Sequence, residues 1–226
     1  MIKDINDICF IVQARLGSQR VPGKMTRPFA GTTLVDILFN KLKRSSIIPH
    51  ENIYFSVYEN ELKNIGDNHN INVFTRSEQS ANSEGEKLSE IYEWHDKLSY
   101  KYVVLISACN PLLSIDTIDN FVTSFINSEK EGAFAVFEKR TYYWNNAGEA
   151  ITNWNNLQIM NTKFVQSIYE AAHCLYASRL DIIKDGHWMD TNYPPCPELF
   201  VMNELEAFDI DYEWQFKLGE ILYENL

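Results

Sequence analysis

The stretch ICFIVQARLGSQRVPGK, residues 8–24, decides how the chain is read. Residues 8–12 form a continuous apolar run that gives way at once to a polar segment holding two glycines and a proline. A strand buried on both faces has this texture, because hydrophobic alternation is needed only where one face meets water. The loop that follows gathers Arg15, Arg20 and Lys24 with Gly17, Gly23 and Ser18. Glycines let backbone amides approach phosphate oxygens, guanidinium forks pair with them, and a lysine adds a compact charge. The spacing matches neither GxxxxGK[ST] nor GxGxxG. On residue chemistry alone the loop is either a phosphate cradle or a solvated basic turn.

Outward from this stretch, strand and helix patterns alternate. Residues 33–42 place Leu34, Ile37, Leu38 and Leu42 at helical spacing behind an N-cap at Thr32 or Thr33. Strand patterns at 52–57, 71–74 and 102–106 alternate with helix patterns at 61–65, 85–98 and 114–126, the segment 85–98 being strongly amphipathic and 114–126 opened by Ser114 and Asp116. This predicts an α/β, three-layer sandwich with a mostly parallel, Rossmann-like sheet covered on both faces. Ligands of such sheets lie beyond the carboxyl ends of the strands, which puts the loops after Val12 and Ile106 in the site. After a strand at 133–137, residues 142–157 are rich in Trp, Tyr and Asn without periodicity and read as an inserted lid or interface element within about 140–168. The rest reads as a strand at 171–177, a short helix near 179–184, a Pro-rich loop at 193–197, strand-like segments around Phe200 and Phe208, and a terminal amphipathic helix. Without repeats or long linkers, residues 1–226 are expected to form one domain.

Composition narrows the function classes. A net charge of −11 argues against a broad nucleic-acid footprint, so basic residues matter locally. Cys9, Cys109, Cys174 and Cys196 form no CxxC pair, which points to reduced thiols in a cytoplasmic protein and away from a zinc cluster. No run is apolar enough to insert in a membrane, and the first residues lack the pattern of a targeting peptide.

The string QARLGSQRVPGK resembles the nucleotide-binding signature of the cytidylyltransferases that make CMP-Kdo and CMP-sialic acids, and of spore-coat polysaccharide cytidylyltransferase-like proteins. Three further segments are similar in order: Thr75-Arg76-Ser77, residues 105–112 (LISACNPL), and Phe208-Asp209-Ile210-Asp211 before the last helix. The resemblance implies the nucleotide-diphospho-sugar transferase fold and transfer of CMP from CTP to an acidic sugar or a phosphorylated small molecule, with pyrophosphate released, in surface polysaccharide synthesis. It assigns nucleotide contacts to Gln13, Ala14, Arg15, Gly17, Ser18, Arg20, Lys24, Arg76, Ser107 and Asn110, and catalytic roles to Arg15, Lys24, Asp209 and Asp211. It also implies a homodimer paired through the insert.

Asp209 and Asp211 alternate along the chain, so they can share one hard cation, and Mg2+ suits two carboxylates plus phosphate oxygens. The other reading makes Asp211 the N-cap of the terminal helix. His173 lies among small apolar neighbours and is either a satisfied interior residue or an acceptor contact able to take a proton, with Glu170 and Gln166 as weaker acceptor-side candidates. Tyr142, Tyr143, Trp144 and Trp154 suit a lid core or dimer interface. Ser107 stands where sialic-acid enzymes carry Gln, Cys109 or Asn110 replaces an Asp of the Kdo enzymes, and Ser56 to Glu59 replaces their Thr-Asp-Asp. GTP, ATP or UTP in place of CTP, and a non-catalytic nucleotide-binding relative, therefore remain as alternatives.

Overall fold

The computed structural model describes residues 2–82, 87–152, 161–183 and 197–226. Its strands are β1 (Ile8–Gln13), β2 (Ile53–Val57), β3 (Asn72–Thr75), β4 (Tyr102–Ile106), β5 (Ala133–Lys139), β6 (Ile168–Arg179) and β7 (Glu198–Val201). They form one sheet in the order β3-β2-β1-β4-β6-β5-β7. Only β6 runs antiparallel to its neighbours, between β4 and β5, so the expectation of a mostly parallel sheet holds. The helices are α1 (Leu34–Leu42), α2 (Asn60–Asn68), α3 (Glu78–Ala81), α4 (Leu88–Ile91), α5 (Ile115–Asn127) and α6 (Glu213–Asn225).

The continuous apolar run of β1 serves two layers. Ile8, Phe10 and Val12 pack with Val35, Leu38 and Phe39 of α1 and with Ile118, Phe121 and Phe125 of α5. Cys9 and Ile11 face the other way, onto Trp94, Val103 and Tyr176. Residues 8–12 are all fully buried, as a central parallel strand requires. Thr33 caps α1 by accepting the Asp36 N–H, and Ser114 caps α5 by accepting the Thr117 N–H. A smaller cluster joins Val21 of the basic loop to Phe29, Leu34, Ile37, Ile210 and Phe216, fastening α6 beside that loop.

Two local expectations are corrected. The helix expected at 85–98 is broken: residues 83–86 lie outside the described part, and α4 stops at Tyr92, whose φ of −104° and ψ of 46° are not helical. Beyond it a separate 3-10 turn carries Trp94 into full burial, where its indole N–H donates to Gln13 Oε1 at 2.9 Å, a contact a continuous surface helix would not make. The chain around Phe208 is not a strand; residues 203–208 wind through successive turns after Met202 makes the last bond to β5. After Arg179, the last residue of β6, the Ile183 N–H donates to the Leu180 carbonyl and Ile183 has 3-10 conformation, while residue 184 of the short helix expected near 179–184 lies outside the described residues. Trp154, Cys196, Lys184 and residues 193–196 of the Pro-rich loop lie outside the described residues. Of the insert, residues 141–152 form a tight hairpin closed by the Trp144 to Ala150 bridge. Among the described residues no helix is long and apolar enough to cross a membrane.

Candidate active site

The basic loop leaves the carboxyl end of β1 and is held by its backbone from several directions. The Ala14 N–H donates to the Ser56 carbonyl, and its own carbonyl accepts from Arg76 Nη2 at 2.6 Å. The Leu16 N–H donates to Glu59 Oε1 at 2.8 Å, and Arg15 Nη1 donates to the Ala81 carbonyl at 3.1 Å. Val21 plugs the loop into the core, and Gly23, at φ +65°, turns the chain so that Lys24 points back over the strand ends. Gly17 is exposed at the crest, where an added Cβ would meet open space. The loop borders a cavity of about 470 Å3 whose walls include Gln13, Arg15, Ser18, Arg20, Lys24 and Arg76.

Residues distant in sequence converge on this loop. Lys24 Nζ donates to the Ile210 carbonyl at 2.7 Å and lies 3.7 Å from Asp211 Oδ1, which accepts from Arg20 Nη2 at 2.8 Å. Ile210 is fully buried between Asp209, which borders a second cavity, and Asp211, which reaches the basic loop, so the two aspartates flank a core residue without a strand. The alternative role of Asp211 as helix cap is corrected. Gln215 Oε1 accepts the N–H groups of both Asp211 and Tyr212 at 2.8 Å, leaving the Asp211 carboxylate for the basic loop. Asp209 Oδ1 is buried and has no hydrogen-bond partner among the described residues. Burial, and then the charge of Asp211, push the Asp209 carboxyl above the ordinary range, with Lys24 and His173 opposing.

The turn after β4 closes the site from below. The Ser107 N–H donates to the Cys174 carbonyl, and Ser107 Oγ accepts from the Cys109 N–H at 3.1 Å. Asn110 is buried, its amide N–H donating to the Ala207 carbonyl at 3.1 Å while its Oδ1 has no partner among the described residues. Arg76 is likewise 3% exposed, and although it borders the cavity, its bonds go to the Ala14 and Ser80 carbonyls. Burial lowers its guanidinium to about 10.

A second cavity of about 630 Å3 adjoins Asp209 and is walled by Glu170, His173, Glu204, Phe208 and Trp214. A third, of about 310 Å3, connects the two regions, with Gln13, Tyr92, Ser107, His173 and Tyr176 on its walls. Gln166 is exposed and does not border the second cavity. The reading of His173 as an interior residue is corrected: it is exposed, because β6 bulges there and throws it off the sheet at φ +54°.

Residues that sequence reasoning missed include Glu59, Trp94, Tyr176 and Trp214. Glu59 carried a usable signal, a carboxylate just past a strand end facing a basic loop. Tyr176 carried none, since three residues' separation in a strand puts two side chains on opposite faces unless the strand bulges. Among the described residues no group of three or more His, Cys, Asp or Glu side chains could hold a metal ion.

Comparison with known proteins agrees with this layout. A relative from Bacillus subtilis (strain 168), the spore coat polysaccharide biosynthesis protein SpsF, is 29% identical over 138 residues, which are 58% of this chain and 55% of that protein. The chain thus matches about half of the length of that relative. A CMP:2-keto-3-deoxy-manno-octonic acid synthetase solved in complex with CTP superposes with a TM-score of 0.71 at 10% identity, covering 96% of this chain and 98% of the other. A 4-diphosphocytidyl-2C-methyl-D-erythritol synthase from Anaerococcus prevotii DSM 20548 gives 0.70 at 9% identity, over 97% and 98%. A cytidylyltransferase from Leptospira borgpetersenii serovar Hardjo-bovis (strain JB197) gives 0.63 at 16%, over 97% and 87%. At these identities the superpositions establish the fold. The family model described as cytidylyltransferase matches residues 9–185, from the buried strand and basic loop through the end of β6, and this chain belongs to that family.

Proposed function

We propose that the chain transfers CMP from CTP to a small-molecule acceptor, an acidic sugar or a phosphorylated compound, and releases pyrophosphate. The observation that carries this reading is the meeting of Lys24 and Arg20 with the Asp209–Asp211 segment at the carboxyl ends of the strands. Cations that neutralise a triphosphate there stand beside carboxylates suited to a hard cation, the pairing that α-phosphoryl transfer requires. The relationship to a spore-coat polysaccharide protein supports a place in surface glycan synthesis.

Arg15, Arg20 and Lys24 would hold the triphosphate and offset the charge that develops on pyrophosphate, while the loop amides fix its position. Asp209 and Asp211 fit a magnesium ion. Asp209 offers a buried oxygen with no partner among the described residues, and a cation would offset the burial and the Asp211 charge that raise its carboxyl. A magnesium ion held by Asp209 and Asp211 would supply positive charge that stabilises the transfer. The second cavity, beyond Asp209, holds the acceptor. The exposed apolar residues Trp144, Ile151, Phe164 and Tyr169 near the 141–152 hairpin support pairing of two copies, which light scattering during gel filtration would read as twice the monomer mass.

Thermal-shift measurements with CTP, GTP, ATP and UTP in the presence of Mg2+ test the assignment. CTP is expected to raise Tm most, and no rise with CTP would remove cytidine from the reading. A second reading, the same transfer from another nucleotide, is favoured by one observation: the Ser107 hydroxyl is engaged by its own turn, leaving a short side chain at the position expected to read the base.

A further inference from the structure

We infer that His173 is the general base that removes the proton of an acceptor hydroxyl, that Tyr176 positions it, and that the acceptor attacks through a neutral hydroxyl. This rests on the proposed nucleotidyl transfer and names the class of nucleophile. Three observations carry it. First, the pairing of β5 with β6 slips between Phe134 opposite Tyr176 and Val136 opposite Ala171, an advance of two residues on one strand and five on the other. The excess chain bulges at residues 172–175, while β6 stays in register with β4 as far as Ile106 opposite Leu175. Second, His173 sits within that bulge at φ +54°, a left-handed conformation that a non-glycine residue adopts at a cost and that concentrates at functional sites. Third, the strained residue borders both the acceptor cavity with Asp209 and the connecting cavity with Gln13 and Ser107.

The bulge also brings His173 Nδ1 to 2.5 Å from the Tyr176 hydroxyl oxygen. Tyr176 is 6% exposed and fixed in the core beside Phe134, so it can hold the imidazole ring in one orientation. With Nδ1–H donating to the Tyr176 oxygen, the lone pair lies on Nε2, free to accept a proton. In the step, the acceptor oxygen bonds to the α-phosphorus while the bond from that phosphorus to the bridging oxygen breaks. The electron pair departs on pyrophosphate, and the hydroxyl proton passes to Nε2 and then to water. A phosphate or carboxylate nucleophile is already anionic near neutral pH and would leave His173 without this task.

The test follows pyrophosphate release from CTP and Mg2+ by the full chain in two arms: 3-deoxy-manno-octulosonic acid, N-acetylneuraminic acid or water as hydroxyl nucleophiles, and glucose 1-phosphate or glycerol 3-phosphate as phosphate nucleophiles. Glycine and asparagine both tolerate positive φ, so His173→Gly and His173→Asn should fold with Tm at or above that of the parent and bind CTP unchanged. In the hydroxyl arm kcat should fall roughly 10²- to 10⁴-fold with KM nearly constant, and imidazole in solution should restore part of the rate of His173→Gly. Tyr176→Phe should lower kcat about tenfold and leave KM alone, a split that general loosening of the sheet would not give. If CTP fails to stabilise the parent chain, the proposed function falls and the inference with it. If CTP binds but His173→Asn releases pyrophosphate at the parent rate, or release occurs only in the phosphate arm or in neither, the inference alone is overturned.

Discussion

The two ends of the candidate site are built by different means. At the nucleotide end the loop from Gln13 to Lys24 is fixed by bonds to its backbone: Arg76 and Ser56 at Ala14, Glu59 at Leu16. All of these partners sit on or just after parallel strands. At the proposed acceptor end, side chains project from a bulged antiparallel strand, from the turns after β7 and from α6 into a wide cavity walled by Glu170, His173, Glu204 and Trp214. A backbone cradle can change little without disturbing the sheet, whereas projecting side chains can be exchanged one at a time. The family match, residues 9–185, takes in the loop with Ser56, Glu59 and Arg76, and also Glu170 and His173 of the second region.

Substitutions that should hurt one end and spare the other sharpen this contrast. The largest effect is expected for Asp209→Asn, where the two ends meet: pyrophosphate release should drop ~10³-fold, measured at saturating CTP. Because burial raises the Asp209 carboxyl, its charged form destabilises the metal-free fold at neutral pH. The variant should therefore have a higher Tm than the parent at pH 7 without Mg2+, and the advantage should vanish in acid, where the parent carboxyl is protonated. Next comes Arg76→Met, which strands the Ala14 and Ser80 carbonyls; chemical denaturation should show a loss of ~3 kcal/mol, and KM for CTP should rise. Glu59→Ala frees the Leu16 amide and removes the carboxylate whose charge favours the buried Arg76 guanidinium, so KM for CTP should increase about tenfold while KM for the acceptor stays level. Equal changes in both Michaelis constants would erase the distinction between the ends.

The smallest effect concerns Lys41, buried under the turn after β4, where Nζ donates to the Pro111 and Leu113 carbonyls. Burial, and then Arg44, lower its ammonium to about 8 from 10.5, with Glu206 opposing. Between those values the unfolded chain holds a proton the folded chain has lost, so stability should rise with pH across that window. Lys41→Met should flatten this rise in urea titrations at a series of pH values.

The readable parts of the sequence were those in which local pattern and tertiary role coincide. The apolar run of β1 and the cationic loop carry their meaning within seventeen consecutive letters, residues 8–24. The aspartate pair was legible because Ile210 is drawn into the core between them even where no strand pairs. Elsewhere long-range contacts overrode local preference. Trp94 breaks an amphipathic pattern because Gln13, eighty-one residues away, takes its indole N–H. Arg76 follows a strand end like a ligand-binding arginine, yet two backbone carbonyls claim it. His173 has the neighbours of a core residue, and only the slip between β5 and β6 turns it outward; nothing in the letters 170–176 encodes that slip.

The bond from Lys24 to the Ile210 carbonyl spans 186 residues. During synthesis at ~5–20 residues per second, the phosphate loop is made ~10–40 s before the segment that completes it. Through that interval β1 to β4 can assemble, but the cationic loop has neither aspartate beside it. On the proposed transfer, competence would arrive late and all at once, when the segment before α6 docks, and a half-made chain holding only the basic loop would have no means to spend CTP.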